Sequence, residues 1–276
     1  MQINEETKLI ARFHKKVSPR SLNIYNPVFQ ELGINAVYLL FYNEDPTPLM
    51  DGFRKLNITG SIAAGFESNP ILPTLLDELD EVAKFVGKVG YVYRKNNKVV
   101  GGLQGGAGIL RTIKLASSLE GKTISLVGAG NIAKGLLYEI KKEGILCEVI
   151  IYNRTLEKAL DLQKNFAFVK GVRTLEELSS ATGNVLVNVS DIGGEVEDNF
   201  FTEKIINSHG SVVDVTFERE NTNLITTARK LSKNIATGWD MFANQGIVCL
   251  EQILGQKIPF EIMRKHVEIG LSEKIV

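Results

Sequence analysis

A glycine turn after a short apolar run constrains this chain more than any other feature. Residues 123–127 are predicted to form a strand that leads into the motif Gly128, Ala129, Gly130, Asn131, Ile132 and Ala133. In this G-x-G-x-x-A pattern the first glycine permits a tight turn, the second lets a pyrophosphate approach the backbone, and the small last residue lets the helix pack closely. The unpaired N–H groups at the start of that helix favour an anion. The motif predicts a βαβ unit that binds a dinucleotide.

The next apolar run, Glu148–Tyr152, is followed by Asn153, Arg154 and Thr155. An NAD enzyme carries an acidic residue here, about 20 residues beyond the glycine motif, to bind the ribose hydroxyls. A guanidinium would instead attract the 2′-phosphate of NADP, through charged hydrogen bonds of roughly 1.5–3 kcal/mol. The pattern favours NADP(H) over NAD(H). The alternative is a glycine turn between packed elements, followed by a solvated arginine.

Composition and charge exclude several classes of protein. The 276 residues include 32 basic and 32 acidic side chains, so the net charge gives no argument for binding to nucleic acid or to an anionic membrane. No apolar run is long enough to span a bilayer. Cys147 and Cys249 are isolated and lack metal-ligand spacing. We expect a cytoplasmic monomer or homodimer that binds no nucleic acid, membrane or metal.

Short apolar runs alternate with helical periodicity, which predicts an α/β protein of two domains. We expect a Rossmann NADP-binding domain at residues 104–237. An α/β substrate-binding domain with a mixed sheet is expected at residues 1–103 and 238–276, with the substrate in the cleft between the domains. Ile71–Val86 is predicted to be one helix. Gly101–Gly108 has five glycines in eight residues, which indicates a hinge or a crowded backbone site rather than a packed element.

Several spaced motifs together resemble the shikimate dehydrogenase family over nearly the whole chain. They are Arg20-Ser21 with Asn26, Ala36-Val37-Tyr38, the glycine turn, Asn153-Arg154-Thr155 with Lys158-Ala159, Leu186-Val187-Asn188, and Gly238 to Gln245. The resemblance implies that NADP is the cofactor and that the substrate is a small hydroxy or keto acid. It implies cofactor contacts from residues 128–133 and from Asn153, Arg154, Thr155, Lys158, Asn188 and Gly238. It assigns substrate binding to Ser21 and Gln245.

The same resemblance places the family's catalytic lysine and aspartate where this chain has neither. The lysine of the family's N-V-T-x-P-x-K motif falls within Gly60–Asn69, and residues 56–83 contain no Lys or Arg. The aspartate of G-x-N-T-D-x-x-G falls on Gly105, and residues 82–119 contain no Asp or Glu. A positioned acid or base contributes roughly 10²–10⁴ in rate. Shikimate is therefore not the expected substrate.

Glu67, Tyr91 and Asp191 are the candidate catalytic residues that would handle the substrate proton. Each has a structural alternative: Glu67 as a solvated residue at a helix start, Tyr91 as a strand aromatic that fills space, and Asp191 as a turn residue. The three histidines lie far from these motifs in the sequence: His14, His209 and His266.

Three functions remain open from the sequence. The first is an NADP(H)-dependent oxidoreductase that acts on an acid other than shikimate. The second is a non-catalytic NADP(H)-binding paralogue with a sensing or scaffolding role. The third is a shikimate dehydrogenase with a substitute for the missing catalytic pair.

Overall fold

The chain divides into two compact units. Unit 1 consists of residues 1–104 and 245–276, and unit 2 consists of residues 105–244. The structure, a computed structural model, describes residues 3–15, 19–63, 65–193 and 199–272. Ala64, within the segment that the resemblance aligns with the family's lysine motif, lies outside the described residues. The assignment of a substrate-binding and a cofactor-binding domain, with boundaries at residues 103 and 237, stays a prediction.

Strands and helices alternate through both units. The strands are β1 Lys8–His14, β2 Ala36–Tyr42, β3 Ile58–Ile62, β4 Glu78–Leu79, β5 Tyr91–Lys95, β6 Lys98–Gly102, β7 Thr123–Val127, β8 Glu148–Tyr152, β9 Val169–Arg173, β10 Val185–Asn188, β11 Ser211–Asp214 and β12 Asn234–Ala236. The helices are α1 Leu22–Glu31, α2 Pro46–Lys55, α3 Glu81–Val86, α4 Gly105–Ala116, α5 Asn131–Lys142, α6 Leu156–Asn165, α7 Glu203–Asn207, α8 Asn223–Lys230, α9 Gly238–Leu254 and α10 Phe260–Ser272. Short 3-10 helices lie at Pro19–Ser21, Leu72–Leu75 and Glu176–Ser180. Among the described residues, no helix is long and apolar enough to cross a membrane.

Unit 1 is built on a mixed sheet in the order β2-β1-β3-β5-β6-β4. β1 is parallel to β2 and β3, whereas β5 is antiparallel to β3 and β6. Ala11 and Phe13 of β1 pack into a core with Phe53 of α2. Because side chains alternate along a strand, Arg12 faces the opposite side of the sheet. This confirms the expected mixed sheet.

Unit 2 is built on a parallel sheet in the order β12-β11-β10-β7-β8-β9. Counted from β7, this is the 3-2-1-4-5-6 order of the Rossmann fold. The order reverses between β7 and β10, which pair from Ile124↔Val185 to Val127↔Asn188. A ligand crevice is expected at the carboxyl ends of these two strands. The prediction of a Rossmann domain in the middle of the chain is confirmed.

Most of the glycine-rich stretch at residues 101–108 belongs to regular elements, so the expectation that it lies outside any packed element was wrong, whereas the hinge stays a prediction. Gly101 and Gly102 end β6, and Gly105 begins α4. A crowded backbone does explain one of the glycines. A side chain at Gly106 would overlap the backbone carbonyl of Gly135, because α4 and α5 approach closely at this point.

The prediction of one helix over Ile71–Val86 was also wrong. Two aspartates divide this segment into a 3-10 helix, the short strand β4 and helix α3. Asp77 accepts a hydrogen bond from the backbone N–H of Val99 at 2.7 Å, which ties the segment to β6. Asp80 accepts one from the N–H of Ala83 at 2.7 Å and so caps α3. The apolar periodicity reflects burial on the sheet rather than a continuous helix.

His209 is buried in unit 2 and fully hydrogen-bonded. Its Nδ1 lies 2.8 Å from the carbonyl oxygen of Ile205, so it must donate there, and its Nε2 lies 2.8 Å from Ser125 Oγ, which donates to it. This neutral arrangement suits the interior, and burial lowers the pKa of His209.

We predict that protonation of His209 destabilises the fold in acid. The folded-state pKa lies below the unfolded value of about 6.5, so the unfolded chain binds the proton first and stability falls as pH drops below that value. The check is urea unfolding between pH 8 and pH 5 for the wild type and for H209Q, whose side chain does not titrate. The wild type should lose more stability than H209Q over this range. Equal losses would contradict the prediction.

Candidate functional site

A cavity of about 680 Å³ lies in unit 2, at the carboxyl ends of β7, β8 and β10. This is the place at which the strand order reverses. Its lining consists of Gly128, Ala129, Gly130, Asn131, Ile132, Asn153, Arg154, Thr155, Lys158, Leu175, Val189, Ser190, Asp191 and Ile192. Most residues that the sequence assigned to the cofactor therefore surround one cavity.

Glycine is needed at the two positions of the turn for different structural reasons. Gly128 has φ +110°, and a Cβ there would lie 3.2 Å from the backbone carbonyl of Val189. Gly130 has an extended backbone with φ −85°, and a Cβ there would meet nothing within 4 Å. Gly128 is therefore required by the fold, whereas Gly130 keeps the cavity open in front of α5.

The N-terminus of α5 is prepared for an anion. Gly130 is the N-cap residue, no side chain caps the helix, and its first turn contains no acidic residue. The first N–H groups of a helix have no intrahelical acceptor and carry a partial positive charge. Since the cavity is lined by Gly130, Asn131 and Ile132, these donors suit a pyrophosphate group.

Two cations lie at the far end of this cavity, beyond β8. Arg154 and Lys158 are exposed lining residues. Within the described part of the chain, neither forms an ion pair with a carboxylate. The Asn153 side chain donates to the carbonyl of Thr155 at 2.7 Å, which fixes the turn between β8 and α6. Two unneutralised cations, Arg154 on this turn and Lys158 near the start of α6, suit a phosphate dianion.

Three residues predicted to contact the cofactor do not line this cavity. Ala133 is fully buried, as expected for the position where α5 packs on the sheet. A side chain at Gly238 would overlap the carbonyl of Thr216, so this glycine permits the start of α9. Asn188 is fully buried at the end of β10. The cofactor contacts of the predicted residues stay predictions. Each of these three residues also has a structural role that does not require a cofactor.

Asn188 belongs to a buried network around Asp214. Its side-chain amide donates to Asp214 Oδ1 at 3.1 Å and to the Ile192 carbonyl at 2.8 Å. Its oxygen accepts from the Ser190 hydroxyl at 2.7 Å, and Asp214 Oδ2 accepts from Thr222 Oγ1 at 2.6 Å. Burial raises the pKa of Asp214 even though these donors lower it. The network holds the loop after β10, which supplies four residues of the cavity wall.

That loop contains the lining residues that the sequence did not identify: Val189, Ser190 and Ile192, with Leu175 from the preceding connection. The sequence did carry a signal, because any residue following β10 must lie at the same sheet edge as the glycine turn. Asp191, predicted to handle the substrate proton, lies on this loop as an exposed residue of the cavity wall.

Tyr91 is buried in unit 1, where its hydroxyl lies 3.4 Å from Asp80 Oδ2. Burial and the nearby Asp80 carboxylate raise the pKa of Tyr91 well above its ordinary value. Its ring occupies the space above Gly102, where any side chain would overlap it. This matches the space-filling alternative. A tyrosine so protonated can donate a hydrogen bond but cannot act as a base near neutral pH.

Glu67 is half-buried in a turn of unit 1 and accepts a hydrogen bond from the Gly65 N–H at 2.8 Å. Burial raises the pKa of Glu67, partly offset by that hydrogen bond and by the positive charges of Arg12 and Lys15. The alternative of a solvated residue at a helix start is wrong, because the side chain is half-buried and precedes no α-helix. A carboxyl group with a raised pKa is suited to proton transfer near neutral pH.

The two residues predicted to bind substrate lie in unit 1. Ser21 is fully buried and is the N-cap residue of α1. Gln245 is half-buried on α9. One turn further along, on the same face of that helix, is Cys249, which lies within electrostatic range of Glu67. Contacts of Ser21 and Gln245 with a substrate stay predictions.

Comparison with known proteins decides the family. Residues 111–197 match the family described as Shikimate / quinate 5-dehydrogenase. The shikimate dehydrogenase (NADP(+)) of Aquifex aeolicus is 30% identical over 252 residues, covering 88% of this chain and 91% of that protein. The chain belongs to the shikimate dehydrogenase family. The resemblance stated from the motifs is confirmed.

Solved structures agree with this assignment. A shikimate dehydrogenase crystallised in complex with NADP⁺ is 25% identical, with a TM-score of 0.79 over 99% of this chain and 98% of that chain. The ligand-free 5-ketofructose reductase of Gluconobacter sp. is 21% identical, with a TM-score of 0.78 over 96% of this chain and 99% of that chain. The second likeness shows a shared fold. The predicted two-domain α/β fold is confirmed.

Proposed function

We propose that this member of the shikimate dehydrogenase family is an NADP(H)-dependent oxidoreductase that acts on a small hydroxy or keto acid other than shikimate. One contrast carries the proposal. The glycine turn and the Asn153–Lys158 motif are complete, and most of their residues line one cavity, whereas the segments aligned with the catalytic motifs lack both the lysine and the aspartate. That the 5-ketofructose reductase shares the fold supports a changed substrate, since one fold can serve several substrates.

The residues of unit 2 fit NADP(H). Gly130 leaves open space at the N-terminus of α5, where backbone N–H groups would hold the pyrophosphate. Arg154 and Lys158 would hold the 2′-phosphate, and Asn153 keeps in place the turn that carries Arg154. The nicotinamide, when bound, supplies the hydride chemistry, so the protein has to orient the substrate and manage one proton.

Glu67 is the best candidate for the proton. Its pKa is raised by burial, which brings the carboxyl group closer to neutral pH, where a general acid or base is most effective. Tyr91 would act at most as a hydrogen-bond donor, because its hydroxyl faces the Asp80 carboxylate. Asp191 lies in the wall of the nucleotide cavity and would influence the cofactor rather than replace the family's acid or base.

We expect R154M to weaken NADPH binding by about 10-fold or more while leaving NADH binding nearly unchanged. Loss of a charged hydrogen bond to a 2′-phosphate costs roughly 1.5–3 kcal/mol, and NADH has no such phosphate. Fluorescence titration of both nucleotides measures this. R229M is the control, because Arg229 lies on α8, bonded to Asn221, and is not a lining residue. An equal loss for the two nucleotides would refute the 2′-phosphate role.

The substrate is tested by NADPH formation from NADP⁺ and shikimate, beside a shikimate dehydrogenase that has the lysine and aspartate. We expect turnover at least about 100-fold below that control, the lower range of what a positioned acid or base supplies. Turnover near the control would mean that other residues replace the missing pair, and shikimate would then be the substrate. If turnover is that low, a panel of other hydroxy acids is assayed next.

A non-catalytic NADP(H)-binding role is the second candidate. It is favoured by the same missing catalytic pair and by the engagement of the Tyr91 hydroxyl with Asp80. Tight NADPH binding together with no turnover of any acid in the panel would support this role over the first.

A further inference from the structure

His14 lies beside the turn that carries Glu67, although the two residues are far apart in the sequence. β1 pairs in parallel with β3 as far as Ile62, so the residues that follow Ile62 run alongside the end of β1. On its other side His14 pairs with Tyr42 of β2, and its carbonyl accepts a hydrogen bond from the Asn43 N–H at 3.2 Å. The backbone of His14 is therefore fixed at the carboxyl end of β1.

Gly65 connects the two side chains. Its N–H donates a hydrogen bond to Glu67 Oε2 at 2.8 Å. A Cβ built on the same glycine would lie 3.6 Å from His14 Nε2, which places the imidazole against this residue. The turn is closed by a hydrogen bond from the Phe66 N–H to the Ala63 carbonyl at 3.1 Å. A carboxyl group and an imidazole nitrogen therefore lie against one glycine.

Charged and titratable groups approach this pair from several sides. Burial raises the pKa of Glu67, and the positive charges of Arg12 and Lys15 lower it. Tyr42 is the neighbour on β2 and is exposed. Cys249 of α9 lies within electrostatic range of Glu67, and burial raises the pKa of its thiol, so that it stays neutral. The Glu67 carboxyl group is therefore the neighbour with which an imidazole can exchange a proton near neutral pH.

The chemistry of the two side chains is matched. An imidazole ordinarily titrates at about pH 6.5, and a carboxyl group whose pKa is raised by burial moves toward that value. Two such groups in one place titrate as a pair and can pass a proton between them. His14 is half-buried, so a proton taken from Glu67 can leave to solvent through it.

We propose that His14 is the proton-exchange partner of Glu67 and acts through it as a positioning residue. This rests on the proposed function, in which Glu67 handles the substrate proton. The segment that carries Glu67 is the one that aligns with the family's lysine motif, so the pair supplies proton chemistry where the lysine is absent.

The proton follows one path in each direction. In oxidation the substrate hydroxyl gives its proton to the Glu67 carboxylate while the carbon that bears it gives a hydride to NADP⁺, which leaves a carbonyl group. Glu67 then passes the proton to the His14 imidazole, and solvent removes it from there. In reduction the imidazolium returns the proton through Glu67 to the carbonyl oxygen, whose carbon accepts a hydride from NADPH.

Nuclear magnetic resonance tests the pair without substrate or NADP(H). The chain has three histidines, so the imidazole signal of His14 is assigned by its absence from H14Q. The midpoint of the His14 titration should be lower in E67Q than in the wild type by about 1 pH unit. The reason is that the substitution removes the carboxylate that stabilises the imidazolium and leaves the positive charges of Arg12 and Lys15 in place.

E78Q is the matched control, because Glu78 lies on β4 at the far edge of the same sheet and pairs with Lys98. Its His14 midpoint should equal that of the wild type. A change in E67Q no larger than in E78Q would overturn the proposal. If E67Q does not fold, the carboxyl carbon of Glu67 in the labelled wild type decides, since in a coupled pair it shows an inflection at the His14 midpoint. Absence of that inflection would also overturn it.

Turnover tests the role of His14 in proton transfer, with NADP⁺ and the acid of the panel that the wild type oxidises fastest, shikimate included. H14Q should lower kcat by about 10-fold or more at pH 7 with little change in KM. Free imidazole should restore part of the activity of H14A, which a purely structural role would not allow. An unchanged kcat in H14Q would refute the role. If the wild type oxidises no acid, the proposed function fails, and the resonance titrations alone decide whether the pair exists.

Discussion

Gly130→Val should abolish NADPH binding in a protein that remains folded. The backbone at Gly130 is extended, and a Cβ there meets no atom within 4 Å, so the fold tolerates a side chain. That side chain would project into the space that the pyrophosphate needs at the N-terminus of α5. We expect affinity to fall by about 100-fold or more, equal to loss of at least about 2.7 kcal/mol of binding. Fluorescence titration measures affinity, and thermal unfolding checks the fold.

The neighbouring glycine provides the contrast. Gly128→Val should lower the Tm, because φ at Gly128 is +110° and a Cβ would lie 3.2 Å from the Val189 carbonyl. The two substitutions therefore separate cofactor binding from stability within one turn. Unchanged NADPH affinity in the Gly130 variant would mean that the nucleotide does not lie on this turn.

Gly106→Ala should strongly destabilise unit 2. The added methyl group would overlap the backbone carbonyl of Gly135 and lie 2.9 Å from its Cα, so α4 and α5 would have to move apart. Helices packed through backbone contact cannot separate without losing the contacts of their neighbours. We expect a loss of about 3 kcal/mol or more, at the upper end for overpacking. Urea denaturation measures it.

Gly105→Ala is the matched control, one residue away in the same helix. A Cβ at Gly105 meets nothing within 4 Å. Alanine in place of glycine in a helix stabilises by roughly 0.5–1 kcal/mol. The two neighbouring substitutions should therefore change stability in opposite directions. Equal effects would show that helix propensity, and not the crossing of α4 and α5, explains both glycines.

The nucleotide half was predictable because its signals are local. A strand, a glycine turn and a helix follow one another within 20 residues, and Asn153 and Arg154 follow the next strand. Parallel strands with right-handed crossovers then bring these segments to one sheet edge. Val189, Ser190 and Ile192 of the loop after β10 were missed as cavity wall although they follow a strand that ends at this edge, because the Asn188–Asp214 hydrogen bond that holds the loop joins residues 26 positions apart.

The prediction for unit 1 was weaker, because its structure depends more on side-chain partners that the local sequence pattern does not show. Ile71–Val86 has helical periodicity, but Asp77 accepts a hydrogen bond from the distant Val99 N–H and Asp80 accepts one from the nearby Ala83 N–H, and these break it into three elements. The Tyr91 hydroxyl is chemically able to donate a proton, but its neighbour Asp80 and the space above Gly102 explain its position. Propensity and spacing do not report such partners.

Local pattern was thus sufficient for the Rossmann domain, the glycine turn and the two cations after β8. Each depends on residues close together in the chain. That Arg12 and Ser21 lie beside Tyr38 was decided by the tertiary structure alone. The register of β1 against β2 and the docking of α1 by Asn26 set which side chains share a face. Burial, which raises the pKa of Tyr38, exists only in the folded protein.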